Sequence, residues 1–301
     1  MSKFIVTGGA GFIGSHVVDK LIDLGHEVVV VDNLLLGKKE FVNKRAKFIK
    51  VDIRDLNKLI KVFKDADAVF HLAADPRLQI SVEDPILTHD INVNGTLNVL
   101  VAASKQKVKK VIFTSSGAVY GDQEVLPVKE SFELRPLSPY GLHKVMGEMY
   151  CRLFSELYGL ETVCLRYFNV FGPRKTGSGS YPLVIPAFLQ MRKDGKPMSI
   201  VGDGQATRDY VHVNDVAQAN ILAWESDIKK GEAINIGSGT ETSVNQIADY
   251  IGGERINIPA RIGEMKRVRA DITLAKNILK WKPTINLQAG INALKSEWGI
   301  D

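Results

Sequence analysis

Three side chains in this 301-residue sequence have the types and spacing for proton chemistry at an alcohol. Tyr140 and Lys144 stand four residues apart just after Pro139, in a stretch whose periodicity predicts a helix. Residues at i and i+4 share a helix face, so the ammonium lies near the phenol. A free phenol titrates at about 10. Positive charge beside it favours the phenolate, which is a usable base. Ser116, at the end of a predicted strand over 110–116, offers a hydroxyl to the same substrate oxygen. Taken alone, YxxxK spacing is common by chance, so its meaning depends on what the rest of the chain builds.

Gly8, Gly11 and Gly14 form GxxGxxG between a short apolar run, 3–9, and a segment with helical periodicity over 12–24 that stops at Gly25. In that context the first glycine permits a tight turn and the second lets backbone approach a diphosphate. The third lets helix and strand pack closely, and the diphosphate rests on the helix N-terminus. Asp32 follows Gly14 by 18 residues, at the end of the second apolar run, 27–32. A carboxylate there accepts from a ribose 2′-hydroxyl and repels a 2′-phosphate. No arginine follows Asp32 directly, so the expected cofactor is NAD rather than NADP. Its oxidised nicotinamide is a second positive charge that favours a Tyr140 phenolate.

The elements that must hold these groups alternate. Apolar runs at 3–9, 27–32, 47–52, 68–73 and 110–116 are separated by helical segments. This rhythm predicts an α/β fold: a Rossmann-type doubly wound parallel sheet. After Arg166 the texture changes to a loop-rich stretch over 172–186 and irregular alternation, ending in a helix at about 287–297. The expected division is an NAD-binding domain of 1–168 plus about 209–236, and a smaller irregular α/β substrate-binding domain of about 169–208 plus 237–301. Within the first, the stretches around 210–226 and 232–237 are expected to rejoin the sheet.

Composition removes other classes. With 45% hydrophobic and 24% charged residues, the chain is neither disordered nor low in complexity. A net charge of +5 is a mild surplus, and the Lys105–Lys110 cluster reads as a solvated helix end, so nucleic acid is not an expected partner. Six scattered histidines lack ligand spacing, and no metal is expected. Cys151 and Cys164 lie in apolar stretches and read as core thiols, consistent with a cytoplasmic protein. No apolar run approaches the roughly 18 residues of a membrane span.

The motifs together resemble the extended short-chain dehydrogenase/reductase family, in its nucleotide-sugar epimerase branch. The resemblance runs from TGGAGFIGSHVVDKL (7–21) through VVDNL (30–34), VFHLAA (69–74), NVNGT (92–96), TSSGAVYG (114–121), SPYGLHK (138–144) and LRYFNVFGP (165–173). It continues through GDGQATRDYVHVNDVAQA (202–219) and NIGSG (235–239) to LKWKP (279–283). By that resemblance Ser116, Tyr140 and Lys144 are catalytic. Phe12, Ile13, Asp32, Asn33, Asp52, Ile53, Leu72, Ala73, Ala74 and Phe168 join the glycines, Tyr140 and Lys144 around NAD. Asn169, Arg208 and Arg261 contact the substrate diphosphate, and Glu264 and Val268 line the rest of the sugar-nucleotide site with Ser116. Glu264 replaces the usual Asp of an RxGD segment, and the 245–261 segment is shorter than usual.

The resemblance also narrows the reaction. Related 4,6-dehydratases carry an Asp–Glu pair just after the catalytic Thr/Ser, and related decarboxylases carry a Glu. Here those positions are Gly117 and Ala118. What remains is reversible oxidation at one carbon: NAD-dependent 4-epimerisation of a UDP-hexose through a transient 4-keto sugar. Val268 stands where restricted relatives have a bulky Tyr, so N-acetylated sugars are expected to fit too. Another nucleotide-sugar epimerase or reductase stays open as an alternative. A catalytically silent NAD-sensing protein would be expected to lack one of Ser116, Tyr140 and Lys144. A homodimer is expected, because the helices at about 90–104 and 140–157 carry apolar residues on more than one face.

Overall fold

The computed structural model describes residues 1–175, 183–259 and 266–300. The first half alternates strand and helix: β1 (Lys3–Thr7), α1 (Phe12–Asp23), β2 (Glu27–Asp32), β3 (Lys47–Lys50), α2 (Leu56–Val62) and β4 (Ala68–His71). Two short helices, α3 (Leu78–Glu83) and α4 (Pro85–His89), lead through a π-helical turn into α5 (Gly95–Lys105). Then come β5 (Lys110–Ser116), α6 (Pro139–Tyr158) and β6 (Glu161–Tyr167). The second half holds β7 (Asn169–Phe171), α7 (Val184–Lys193), β8 (Met198–Val201), β9 (Thr207–Arg208), β10 (Tyr210–His212), α8 (Val213–Glu225) and β11 (Lys230–Ile236). It closes with β12 (Thr242–Ser243), α9 (Val244–Ile251), β13 (Arg255–Ile258), α10 (Thr273–Ile278) and α11 (Leu287–Trp298).

Seven parallel strands form one sheet in the order β3-β2-β1-β4-β5-β6-β11, the doubly wound arrangement expected from the alternation. Successive strand residues point to opposite faces, and both faces are covered. Phe4, Val6, Val28, Val30, Phe70, Ile112 and Leu165 pack under α1 and α8, while Ile5, Val29, Val31, Val69, Val111 and Phe113 pack under α2, α5 and α6. This two-sided burial is why the strands read as unbroken β-branched runs. A third cluster, around Phe188, Met198, Ile247 and Ile291, sits under α7, α9 and α11.

Two expectations need correction. Residues 230–236 do rejoin the large sheet, as β11. Residues 210–226 do not: Tyr210–His212 pairs with Asn169–Phe171 in a separate two-stranded sheet, and Val213–Glu225 is a helix lying against α1. The strand there is only three residues, all buried, and the apolar residues that follow fall into helical register. The lysine cluster is not wholly solvated either. Lys110 opens β5 fully buried, and its ammonium donates to the carbonyls of Ala223, Trp224 and Ser226 at the C-terminal end of α8, where a cation is favoured.

Two other expectations hold. Cys151 and Cys164 are free and fully buried. Among the described residues no helix is long and apolar enough to cross a membrane. On α6, Val145 and Phe154 face inward, while Leu142, Met149, Leu153 and Leu157 form an exposed stripe. On the preceding helical stretch Ile91, Val93 and Leu100 are core, and Leu97 and Val101 are half-buried.

Candidate active site

The glycine loop joins β1 to α1. Gly11 caps α1 with extended backbone and no side chain caps that end, so the first-turn N–H groups are left for a ligand. A Cβ on Gly14 would lie 2.1 Å from the Gly8 carbonyl oxygen, a distance no side chain survives. Helix and loop are therefore pressed together with no room to spare, the cradle that a dinucleotide diphosphate requires. Leu72 and Ala73 run alongside, donating to the Thr7 carbonyl and hydroxyl at 3.0 and 3.3 Å, with Ala74 following.

Asp32 is buried at the end of β2. Its two carboxylate oxygens accept from Ala10 N–H at 3.1 Å and Leu34 N–H at 2.8 Å. Burial pushes its carboxyl up from the ordinary value, and those two donors work against the rise. Beside it Asn33 donates to Asp52 at 2.8 Å, and Arg54 forks onto Asp52 at 3.0 and 2.9 Å, holding that carboxyl well below the usual range. Ile53 packs under Gly95. Asp32, Asn33, Asp52 and Ile53 thus converge at one edge of the cleft, across the sheet end from the catalytic trio. The residues present fit NAD.

At the other side of the cleft, Ser138 caps α6 through its hydroxyl, accepting from Gly141 N–H at 3.1 Å, and Pro139 occupies the first turn. That start sets Tyr140 over the end of β5, with its own N–H donating to Ser81 at 3.2 Å. One turn on, Lys144 is buried and donates to the Thr114 carbonyl at 2.7 Å, its ammonium 5.7 Å from the Tyr140 ring centre. The Ser116 hydroxyl lies beside the Tyr140 phenol, where it favours the ionised form, and accepts from Ala118 N–H at 3.2 Å. The three catalytic candidates thus meet at one strand end. Enclosure pushes the phenol up to about 12, a rise that Asp75 adds to and Ser116 opposes. Burial brings the Lys144 ammonium down to about 8, with Glu148 pulling the other way. In the chain alone the phenol is therefore neutral at pH 7, and further positive charge beside it is needed to draw off its proton.

Phe168 is buried with its ring against Gly117, lining the same cleft. Asn169 donates its amide to the Asp209 carbonyl at 3.1 Å, and Arg208 is half-exposed on β9 with one donor on the Thr207 carbonyl. Val268 is half-buried against the core cluster that includes Tyr120 and Val128. Arg261 and Glu264 lie outside the described residues.

Sequence reasoning missed two buried groups near this site. Asp209 collects Ser238 N–H, the Ser238 hydroxyl, Gly239 N–H and Ala270 N–H, tying three segments together behind Arg208. Glu148, one turn beyond Lys144, takes a two-point ion pair from Arg166. For Glu148 the available signal was a lone charge between apolar residues, which burial requires to be matched; Asp209, next to Arg208, gave none.

The model of the NAD dependent epimerase/dehydratase family matches residues 4–237. A putative UDP-glucose 4-epimerase of Methanocaldococcus jannaschii is 46% identical over 95% of both chains. The crystal structure of Thermotoga maritima UDP-glucose 4-epimerase with UDP-glucose superposes with a TM-score of 0.93 at 41% identity, covering 99% of this chain and 98% of that one. UDP-N-acetylglucosamine 4-epimerase of Methanobrevibacter ruminantium, in complex with UDP-N-acetylmuramic acid, gives 0.92 at 38% identity, covering 98% and 99%. The chain belongs to the NAD dependent epimerase/dehydratase family, and its cofactor is NAD.

Cofactor released from the purified protein is accordingly expected to be NAD. Asp32→Asn keeps the shape and removes the charge, so NAD should bind at least about tenfold more weakly, on the scale of one charged hydrogen bond. Fluorescence titration reads this; cofactor recovered mainly as NADP would contradict the role of Asp32.

Proposed function

We propose that this chain interconverts the C4 epimers of a UDP-hexose, UDP-glucose and UDP-galactose, through a transient 4-keto sugar. The observation that carries this is the meeting of Ser116, Tyr140 and Lys144 at the end of β5, with Gly117 and Ala118 next in the chain. Those two positions offer no acid or base for eliminating water or losing carbon dioxide. Ser116 donates to the sugar 4-oxygen, Tyr140 takes its proton, and the Lys144 ammonium favours the phenolate that does so. NAD, held by the glycine loop and Asp32, would supply a reversible hydride acceptor for C4. Returning the proton from Tyr140 completes the cycle without net oxidation.

In this reading the chain divides its work. Residues 1–168 with about 209–236 bind the dinucleotide; about 169–208 with 237–301 hold the sugar nucleotide, with Asn169, Arg208 and Arg261 on its diphosphate and Glu264 beside them. Two guanidinium groups suit a diphosphate because each binds two oxygens. The buried free thiols fit the reducing cytoplasm.

The direct test is Tyr140→Phe. It should keep NAD and lower turnover by at least about 10²-fold, the usual scale for a general acid–base. Turnover near that of the unaltered enzyme would sink the assignment.

Val268 is small at the wall beside the sugar C2 group, so UDP-GlcNAc and UDP-GalNAc should also be substrates. A steric wall acts by repulsion. Val268→Tyr should therefore depress turnover of the acetylated pair at least about tenfold more than that of the plain hexoses, measured by NMR of product mixtures. Equal losses would show that Val268 is not the gate.

The exposed stripe of Leu142, Met149, Leu153 and Leu157 on α6 supports a homodimer. Light scattering at micromolar concentration should give twice the chain mass, and a monomer mass would refute it.

A further inference from the structure

Glu148 and Lys144 stand one helical turn apart on the face of α6 that is pressed onto the sheet, and both are buried. They meet consecutive residues of β5: Lys144 donates to the Thr114 carbonyl at 2.7 Å, and Glu148 accepts from the Ser115 hydroxyl at 2.5 Å. Glu148 also receives the Arg166 fork from β6, Nε at 2.8 Å and Nη2 at 2.7 Å. The remaining arm of Arg166 donates to the Tyr120 hydroxyl at 2.7 Å and the Glu130 carbonyl at 3.3 Å, away from Lys144. Tyr120 donates in turn to Asn235 at 2.7 Å, so the network reaches β11. Nothing in the proposed reaction uses Glu148.

We propose that Glu148 is the positioning residue of the catalytic pair: its carboxylate, anchored by Arg166 and Ser115, keeps Lys144 charged and so lets Tyr140 give up its proton. This rests on the proposed roles of Tyr140 and Lys144. With one proton shared between them, the pair can be phenol plus amine or phenolate plus ammonium. Burial alone favours the neutral arrangement, which leaves no phenolate to take the sugar proton.

Of the groups facing Lys144, Glu148 is the acidic one on its own helix face. On α6, Tyr140 is a neutral phenol and His143 is neutral, lowered to about 4 by burial, with His89 and Lys144 adding to the fall; Cys151 is a buried thiol. From β4, His71 is held neutral, lowered to about 3 by burial and by Lys144 itself. From β6, the Cys164 thiol is pushed well up, and Arg166 forks onto Glu148, so the two act on Lys144 as an ion pair whose acidic member lies one turn along the same helix. Asp75, in the loop after β4, is matched by a two-point pair with Arg77 at 2.9 and 2.6 Å. After burial, the Glu148 carboxylate is the largest influence on Lys144, and it acts to retain the proton.

The test is Glu148→Gln, a substitution close in shape that removes the charge. Protein labelled with 13C at the lysine ε-carbons reports the Lys144 titration directly, the resonance being assigned by its loss in Lys144→Arg. The Lys144 midpoint should fall by at least about one unit, the scale of one nearby charge. The pH profile of kcat should narrow from both sides, because Lys144 loses its proton earlier and Tyr140 keeps its own longer. An unchanged midpoint, or a profile lowered uniformly without narrowing, would overturn the proposal and leave Glu148 as packing alone. Should the variant fail to fold, the unaltered protein decides: Lys144 charged at pH 7 supports the proposal, and Lys144 neutral at pH 7 overturns it. The resonance is read on NAD-bound protein without substrate, so it stands apart from whether UDP-hexoses are turned over.

Discussion

The approach of α6 to β5 is the constraint on which the rest of this structure depends. A Cβ on Gly147 would lie 2.3 Å from the Phe113 ring, so the helix lies as near the strand as its backbone allows. Only at that separation does the Lys144 ammonium reach the Thr114 carbonyl while Tyr140 stands over Ser116. Ser138 fixes where the helix begins, and the strand end fixes where Ser116 lies. Moving either by a residue would separate base from hydroxyl, since helix neighbours turn away by about 100° per residue. The catalytic geometry is thus a consequence of packing density more than of any single polar contact.

Close packing also sets the electrostatic problem. The enclosure that positions the phenol makes it a poorer acid, and the enclosure that places the lysine makes it a poorer cation. A site that excludes water must therefore find its charges inside the protein or in its cofactor. Helix α1 begins with no side-chain cap, Asp32 keeps a buried carboxylate between two backbone N–H groups at the end of β2, and Glu148 follows Lys144 by one turn. Each counters a burial cost at the place where the chemistry creates it.

Much of this was legible in the residues. Unbroken valines in β2 announced a strand covered on both faces, and the glycine spacing announced the tight passage from β1 into α1. Tyr140, Lys144 and Ser116 were found because their spacing matches helix and strand periods. Other features were invisible for physical reasons. The 210–226 stretch misled because a three-residue strand cannot distinguish an edge of the main sheet from a small separate one. Lys110 looked like one more surface lysine, and only the fold reveals that the end of α8 lies over it. The Glu148–Arg166 pair joins residues 18 apart in sequence, and no local pattern pairs them.

A hydride taken from C4 of a UDP-hexose in this packed cleft and returned to the same carbon never reaches water. UDP-galactose deuterated at C4 tests it directly: incubate it with the purified protein, add no NAD, and follow the mixture by NMR. The account predicts UDP-glucose with deuterium still at C4. Deuterium lost to solvent, or no epimer formed by protein that carries NAD, would contradict it.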